Sequence, residues 1–115
     1  MKNSGQRPTI LIVEDIEWIR SGMKKLVEDQ GYRAVEAKNG AEAFELAEHE
    51  SIELILTEEE LPEFNFLMTR LSEHPTLSSV PVAIVNADAD EGARLGDAYL
   101  LTDFAAITSF LAVRR

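Results

Sequence analysis

The sequence predicts an α/β domain built on a parallel sheet. Short apolar runs typical of strands buried on both faces alternate with segments whose apolar residues recur every three or four positions. Five such strands alternate with five helical segments, and no repeat or low-complexity stretch interrupts them. Strands joined by helical crossovers run parallel, and right-handed crossovers place helices on both faces of the sheet.

Composition narrows the class of protein. A chain of 115 residues with 45% hydrophobic content is large enough for one domain with a packed core. It contains no cysteine, which excludes disulfides, thiolate nucleophiles and thiolate metal sites. A formal net charge of −10 disfavours nucleic acid or an anionic membrane as a direct partner.

The beginning of the chain and its apolar runs indicate location and domain organisation. We expect residues 1–8 to form a polar lead-in and residues 9–115 to form a single domain. The lead-in has no apolar core of the kind found in signal peptides, and no apolar run reaches membrane-spanning length. These features predict a cytoplasmic protein. The chain ends after the fifth helical segment, so we expect no attached output domain.

The first strand–helix unit begins directly after the lead-in. Thr9–Val13 is an apolar run that indicates a buried strand, and Glu14 and Asp15 follow at its carboxyl end. The next apolar residues are spaced as on one helix face: Ile16, Ile19, Met23, Leu26 and Val27. Gly31 is placed to end this helix.

A second unit follows with a weaker strand. Arg33–Ala37 has the strand pattern, and Asn39 is placed to cap the helix after it. Glu42, three residues later, is the expected reciprocal partner of this cap. The inner face of the helix would be formed by Ala43, Phe44, Leu46 and Ala47.

The central strand is predicted over residues 53–57. It delivers Glu58 to a loop, because Pro62 just beyond cannot donate to a sheet ladder. A third helix is expected before Pro75, which ends it. Its apolar residues are Phe66, Leu67 and Leu71.

The last two strands are predicted over residues 80–85 and 98–101. The first of them is followed by Asn86, and the second ends in Thr102. Between them, residues 88–95 can form at most a short helix. A final helix would bury Phe104, Ile107 and Leu111.

The predicted topology gathers polar side chains at one edge of the sheet. Ligands of open α/β sheets bind outside the carboxyl ends of the strands, where Glu14, Asp15, Glu58, Asn86 and Thr102 should meet. Clustered carboxylates repel one another unless a cation or a proton lies between them, and hard oxygen ligands suit Mg²⁺. The alternative is a set of solvated loop acids that bind nothing, and this pattern leaves both readings open.

The sequence resembles the receiver domain of bacterial two-component response regulators over residues 10–111. The residues that carry the resemblance are Ile10 to Asp15, Gly31-Tyr32, Ala37 to Ala43, Leu61-Pro62 after the central strand, and Pro81 to Val85. The resemblance implies a flavodoxin-like (βα)5 doubly wound sandwich. Its five-stranded parallel sheet would have strand order 2-1-3-4-5, with a shortened fourth helical segment.

Part of the family's site matches this sequence. In the family an acid pair after the first strand binds Mg²⁺, and Glu14 and Asp15 occupy those positions. Glu60 is a further candidate Mg²⁺ ligand. Tyr99 occupies the position of the aromatic residue on the fifth strand that rotates in response to phosphorylation.

The remaining site positions depart from the family pattern. The aspartate that takes a phosphoryl group from a histidine kinase is replaced by Glu58. The Thr or Ser after the fourth strand is replaced by Asn86, and the lysine after the fifth strand by Thr102. We therefore predict a degenerate receiver, or pseudo-receiver, in which Glu58 either imitates a phosphorylated state or is idle.

The resulting prediction is a stand-alone receiver-like module of two-component signalling. It would act by binding protein partners, such as a histidine kinase or a second copy of itself, and would not be an enzyme. The alternative is a Mg²⁺-dependent phosphoryl-accepting receiver in a phosphorelay. A small metal-dependent phosphatase is disfavoured, because residues 14–17 lack the Asp-x-Asp nucleophile motif.

Three further side chains have ordinary structural interpretations. Trp18 follows the acid pair and is expected to be a half-buried packing residue, although it could instead cover the acidic pocket. His49 and His74 lack metal-type spacing and are expected at the surface.

Overall fold

The computed structural model describes residues 7–85 and 98–114, and within them nine regular elements form a layered α/β fold. The strands are β1 (Thr9–Val13), β2 (Arg33–Ala37), β3 (Leu54–Glu58), β4 (Val82–Val85) and β5 (Tyr99–Leu101). The helices are α1 (Glu17–Asp29), α2 (Gly40–His49), α3 (Phe64–Glu73) and α4 (Ala105–Arg114). A 3₁₀ turn, Leu77–Ser79, precedes β4. The predictions for Asn86 and for residues 88–95 lie outside the described residues.

All five strands pair in parallel in the order β2-β1-β3-β4-β5. This confirms the predicted doubly wound, flavodoxin-like architecture and its strand order. β1 lies between β2 and β3, and every side chain of β1 is buried. A central strand covered on both faces explains why its sequence is continuously apolar rather than alternating.

The sheet divides the interior into two cores. Leu11 and Val13 point to one face with the buried side chains of α2 and α3, whereas Ile10 and Ile12 point to the other. The second core receives the buried residues of α1 and α4: Met23, Val27, Ile107 and Leu111. None of the helices in the described part of the chain has the length and apolar character required to cross a bilayer.

Three predicted strands have limits that differ from the structure by one or two residues. β3 extends through Glu58, which pairs with Val85, so this carboxylate lies on the strand end rather than in the loop. β4 begins at Val82 rather than at residue 80, because the 3₁₀ turn and Pro81 occupy the expected start. β5 begins at Tyr99.

The inner face of α3 was predicted correctly at Leu67 and Leu71 and wrongly at Phe66. Phe64, Leu67 and Leu71 are buried, whereas Phe66 is 41% exposed. Residues spaced three and four apart share a helix face. Phe64, Leu67 and Leu71 have this spacing, whereas Phe66 is adjacent to Leu67 and points away from their face. The helix begins two residues earlier than this pattern suggested, and Phe64 takes the core position.

Asn39 caps α2 as predicted, whereas the predicted role of Glu42 in this cap is wrong. The Asn39 side chain accepts a hydrogen bond from the Glu42 backbone N–H at 2.8 Å. The Glu42 carboxylate does not return to the cap residue, as the reciprocal pattern predicted. It accepts from the backbone N–H of Lys38, one residue earlier, at 2.7 Å.

Gly40 and Glu63 meet where the loop after β3 crosses the start of α2. Glu63 has φ 66°, in the left-handed region that costs a residue with a side chain about 1–2 kcal/mol. A Cβ at Gly40 would collide with the Glu63 carbonyl oxygen and would lie 2.9 Å from the Glu63 Cβ. Only glycine allows this approach of the two backbones.

We predict that Gly40→Ala lowers the free energy of unfolding by at least about 2 kcal/mol, since a backbone must move to admit the methyl group. Urea unfolding followed by far-ultraviolet circular dichroism measures the change. Gly22→Ala is the matched control. No atom lies within 4 Å of a Cβ built at Gly22, and alanine in a helix interior should stabilise the protein by up to about 1 kcal/mol. Equal effects of the two substitutions would contradict the packing explanation.

Candidate functional site

The candidate site lies at the carboxyl edge of β1 and β3, which are neighbours in the sheet. Val13 pairs with Thr57, so the next residue of each strand, Glu14 and Glu58, comes to the same edge. Glu14 is 1% exposed, Glu58 is half-buried and Asp15 is exposed. The structure therefore brings one acid of the predicted pair together with the residue at the predicted acceptor position.

The Glu14 carboxyl is buried with incomplete hydrogen bonding. Its Oε2 accepts from the Ile16 backbone N–H at 2.9 Å, whereas Oε1 accepts no hydrogen bond from the described residues. Burial raises the pKa of Glu14 from 4.5 to about 7 against the opposing effect of the Ile16 N–H, and the charge of Glu58 and the neighbouring Asp15 raise this pKa as well. Near neutral pH, this carboxyl is therefore poised to hold a proton or to contact a cation.

Arg20 holds the turn that carries Glu14. Its Nη1 donates to the Glu14 carbonyl oxygen at 2.8 Å, and its Nε donates to Glu36 Oε1 on β2 at 3.1 Å. The side chain is only 13% exposed, so this ion pair is better shielded from solvent than an ordinary surface pair. Arg20 was not predicted as a site residue, because its partners lie on β2 and in the turn after β1 and no local spacing relates them.

Two of the remaining predicted site residues belong to the outermost strand: Tyr99 begins β5 and Thr102 follows it. Tyr99 is 45% exposed, and its ring lies 5.1 Å from the ring of Phe110 and 5.7 Å from the Arg114 guanidinium carbon. Thr102 follows β5 directly and is exposed. Their roles as switch positions stay predictions, and Asn86, the third such position, lies outside the described residues.

Trp18 is not the half-buried packing residue that was predicted. It lies on the first turn of α1 and is 76% exposed, beside Ile16, which is 44% exposed. The two histidines differ from each other. His49 is exposed, as predicted, whereas His74 is half-buried and its Nδ1 accepts backbone N–H groups after α3.

Comparison with known proteins assigns the family. The family model described as the response regulator receiver domain matches residues 10–97. The chain belongs to the receiver domain family. The structure of the chemotaxis response regulator CheY4 of Vibrio cholerae shares the fold, with a TM-score of 0.78 and 18% identity over 92% of this chain and 97% of that one.

Two relatives are more similar to this chain in sequence than CheY4 is. The polar-differentiation response regulator DivK of Brucella anthropi is 36% identical over 86 residues, which are 73% of this chain and 70% of DivK. The transcriptional regulatory protein SrrA of Staphylococcus aureus is 35% identical over 88 residues, or 75% of this chain. These residues span only 35% of SrrA, so the similarity concerns a part of that protein.

Membership gives this chain a place in two-component signalling. Receiver domains are regulatory modules that interact with histidine kinases and other signalling proteins. They commonly bind Mg²⁺ at the phosphorylation site. The chemistry of this edge fits such a cation, because Glu14 and Glu58 supply hard oxygen ligands and the buried Oε1 of Glu14 accepts no hydrogen bond from the described residues.

The complete Mg²⁺ site stays a prediction. Within residues 7–85 and 98–114, no three His, Cys, Asp or Glu side chains are grouped so that they could hold a metal ion. The predicted ligands Glu14, Asp15 and Glu60 therefore do not form a ready three-residue site. Glu58 lies near enough to Glu14 for its charge to raise the pKa of Glu14, so a bound cation would neutralise the repulsion between these two carboxylates.

We predict that the buried Glu14 makes folding stability fall as pH rises. Its folded pKa of about 7 exceeds its ordinary value of 4.5, so the folded state binds this proton more tightly than the unfolded chain. The contribution is complete below pH 4.5 and is lost by about pH 7, with a total of up to about 3 kcal/mol. Urea unfolding between pH 4.5 and 8 measures it.

Glu14→Gln should remove this slope and be more stable than the wild type at pH 8. Glu58→Gln should reduce the slope only in part, because burial rather than the charge of Glu58 is the largest cause of the raised pKa. Glu60→Gln, at an exposed neighbouring carboxylate, is the control and should leave the slope unchanged. A wild-type slope retained in Glu14→Gln would contradict this assignment.

Proposed function

We propose that this chain is a receiver-like signalling module that works by binding protein partners, without phosphorylation of the usual kind. The observation that carries the proposal is the glutamate at the end of β3. Glu58 occupies the acceptor position and faces the buried Glu14, whose pKa it raises. A phosphoryl group transferred here would convert the Glu58 carboxylate into a more highly charged acyl phosphate beside Glu14.

The length of Glu58 is the first obstacle to transfer. A glutamate has one methylene more than an aspartate, which moves its carboxylate by about 1.5 Å. Phosphoryl transfer depends on in-line positioning of the attacking oxygen, and misplacement by about 1 Å can reduce the rate about 100-fold. The extra length therefore supports a site that transfers poorly.

The absence of a lysine after β5 is the second obstacle. Thr102 occupies that position, and its hydroxyl carries no charge. A fixed cation stabilises the charge that spreads over the transferred group in the transition state, so its loss removes a large electrostatic contribution. Both departures act on the same step, and neither disturbs the fold around it.

Protein binding is supported by the apolar surface beside the site. The indole of Trp18 is 76% exposed and lies next to Ile16, although burial of such side chains in the core would be favourable. Exposed tryptophan is enriched at the centres of protein interfaces. Asp15 and Glu17 give this surface an acidic rim, which favours a partner with basic side chains.

The remaining features of the proposal follow from the family and the sequence. The partner would be a histidine kinase, another signalling protein or a second copy of the chain, in the cytoplasm. The module would be a single domain over residues 9–115 without enzymatic activity, and Mg²⁺ would bind through Glu14, Asp15 and Glu60 if it binds. The alternative is a Mg²⁺-dependent receiver that accepts a phosphoryl group in a phosphorelay, which the donor chemistry of Glu14 and Glu58 also permits.

We predict that the wild-type chain takes up no label from radiolabelled acetyl phosphate with Mg²⁺. The double variant Glu58→Asp/Thr102→Lys supplies the shorter acceptor and the missing cation, and should take up label. Thr102 is exposed, so a lysine there fits without repacking. Glu58→Asp alone is the matched control and should be labelled less than the double variant. Stoichiometric labelling of the wild type would overturn the proposal and support the phosphorelay alternative.

A further inference from the structure

The loop between β3 and α3 crosses the amino-terminal end of α2 and bonds to it twice. The Gly40 backbone N–H donates to the Pro62 carbonyl oxygen at 3.1 Å. The Ala41 backbone N–H donates to the Glu63 carboxylate at 2.8 Å. The loop that follows Glu58 is therefore attached to the beginning of α2.

These two bonds complete the cap of α2. The first four N–H groups of a helix have no partner within the helix. Here the Ala43 N–H makes the first i→i−4 bond, to the Asn39 carbonyl oxygen at 3.0 Å, and the Glu42 N–H is satisfied by the Asn39 side chain at 2.8 Å. The two N–H groups before them, of Gly40 and Ala41, depend on the loop after β3. A carboxylate is also the side chain that a helix amino terminus favours electrostatically.

The conformation of Glu63 is adapted to this contact. It is the only residue with a side chain in the described part of the chain that adopts a left-handed conformation, at φ 66°. Glycine would adopt this φ without strain, but it has no carboxylate to offer to Ala41. The strain is maintained because the side chain of Glu63 is bonded and its backbone lies against Gly40.

The rest of the loop is anchored on the same side. Leu61 is 5% exposed and Phe64 is 7% exposed, and both belong to the core that contains α2. The Phe64 N–H also donates to the Leu61 carbonyl oxygen at 3.1 Å. Between the end of β3 and this anchor, only Glu59 and Glu60 remain in the turn.

We propose that Glu63 is a positioning residue for the acidic edge: its bond to Ala41 holds the loop so that Glu58, Glu59 and Glu60 keep one arrangement beside Glu14. α2 and the acidic loop then move as one unit. A change at α2 is transmitted to the carboxylates through this two-bond attachment. The proposal concerns the geometry of the edge and holds whether or not Glu58 accepts a phosphoryl group.

The test compares amide NMR spectra of the full chain and four variants. Glu63→Gln keeps an oxygen that can accept from Ala41, Glu63→Ala removes it, and Glu63→Gly removes it while relieving the strain of positive φ. Glu45→Ala is the control. Glu45 is an exposed glutamate on α2 whose side chain makes no hydrogen bond with the described residues.

In Glu63→Ala we expect hydrogen exchange at the Ala41 amide to rise about tenfold, as for the loss of a helix cap. The amide signals of Glu58, Glu59 and Glu60 should shift and show added motion in ¹⁵N relaxation. Glu63→Gln should restore both readouts, and Glu45→Ala should change neither. Glu63→Gly should free the loop as Glu63→Ala does, and it provides the loop readout if the alanine variant does not fold.

Two results would overturn the proposal. Faster exchange at Ala41 with unchanged signals at Glu58, Glu59 and Glu60 would make Glu63 a helix cap only. Failure of Glu63→Gln to restore the signals would show that the bond to Ala41 does not set the loop arrangement.

Discussion

The parallel pairing of β1 with β3 is the constraint on which the candidate site depends. It aligns Val13 with Thr57 and so places Glu14 and Glu58 at the same edge, inside a structure that buries one of them almost completely. Two acidic side chains in such a place repel each other and lose hydration. The fold tolerates this because the surrounding core supplies far more stabilisation than one carboxyl removes. Such tolerance is typical of functional sites, where local stability is given up for chemistry.

The architecture was readable from the sequence because a sheet buried on both faces leaves strong patterns. All of the β1 side chains are buried and four of the five are apolar, and the helical spacing of Met23 and Val27 marks the buried face of α1. The first and last residues of the strands were predicted less accurately. Pairing partners rather than local composition determined that Glu58 belongs to β3 and that β4 begins at Val82. The burial of Phe64 in place of Phe66 is a similar case, since either aromatic residue suits a helix face.

The candidate site was predictable only in outline. Topology alone places Glu14 and Glu58 together, since the carboxyl ends of neighbouring parallel strands meet. The residues that support them were not predictable. Arg20 bonds to β2 and to the turn after β1, and Glu63 reaches a helix that begins 23 residues before it in the chain. Neither contact leaves a spacing signature, because each depends on how separate elements pack. The position of Glu42 illustrates this on a smaller scale, since its carboxylate bonds one residue away from the expected cap.

The exposure of Trp18 has a consequence for spectroscopy. It is the only tryptophan of the chain, so intrinsic indole fluorescence reports from the beginning of α1 and not from the core. Its surroundings are largely water in the folded state and entirely water in the unfolded state, so emission changes little on denaturation. A change in its emission wavelength or in its quenching would instead indicate that something has covered this surface. The fluorescence of this protein is thus a weak monitor of unfolding and a sensitive monitor of association beside Glu14.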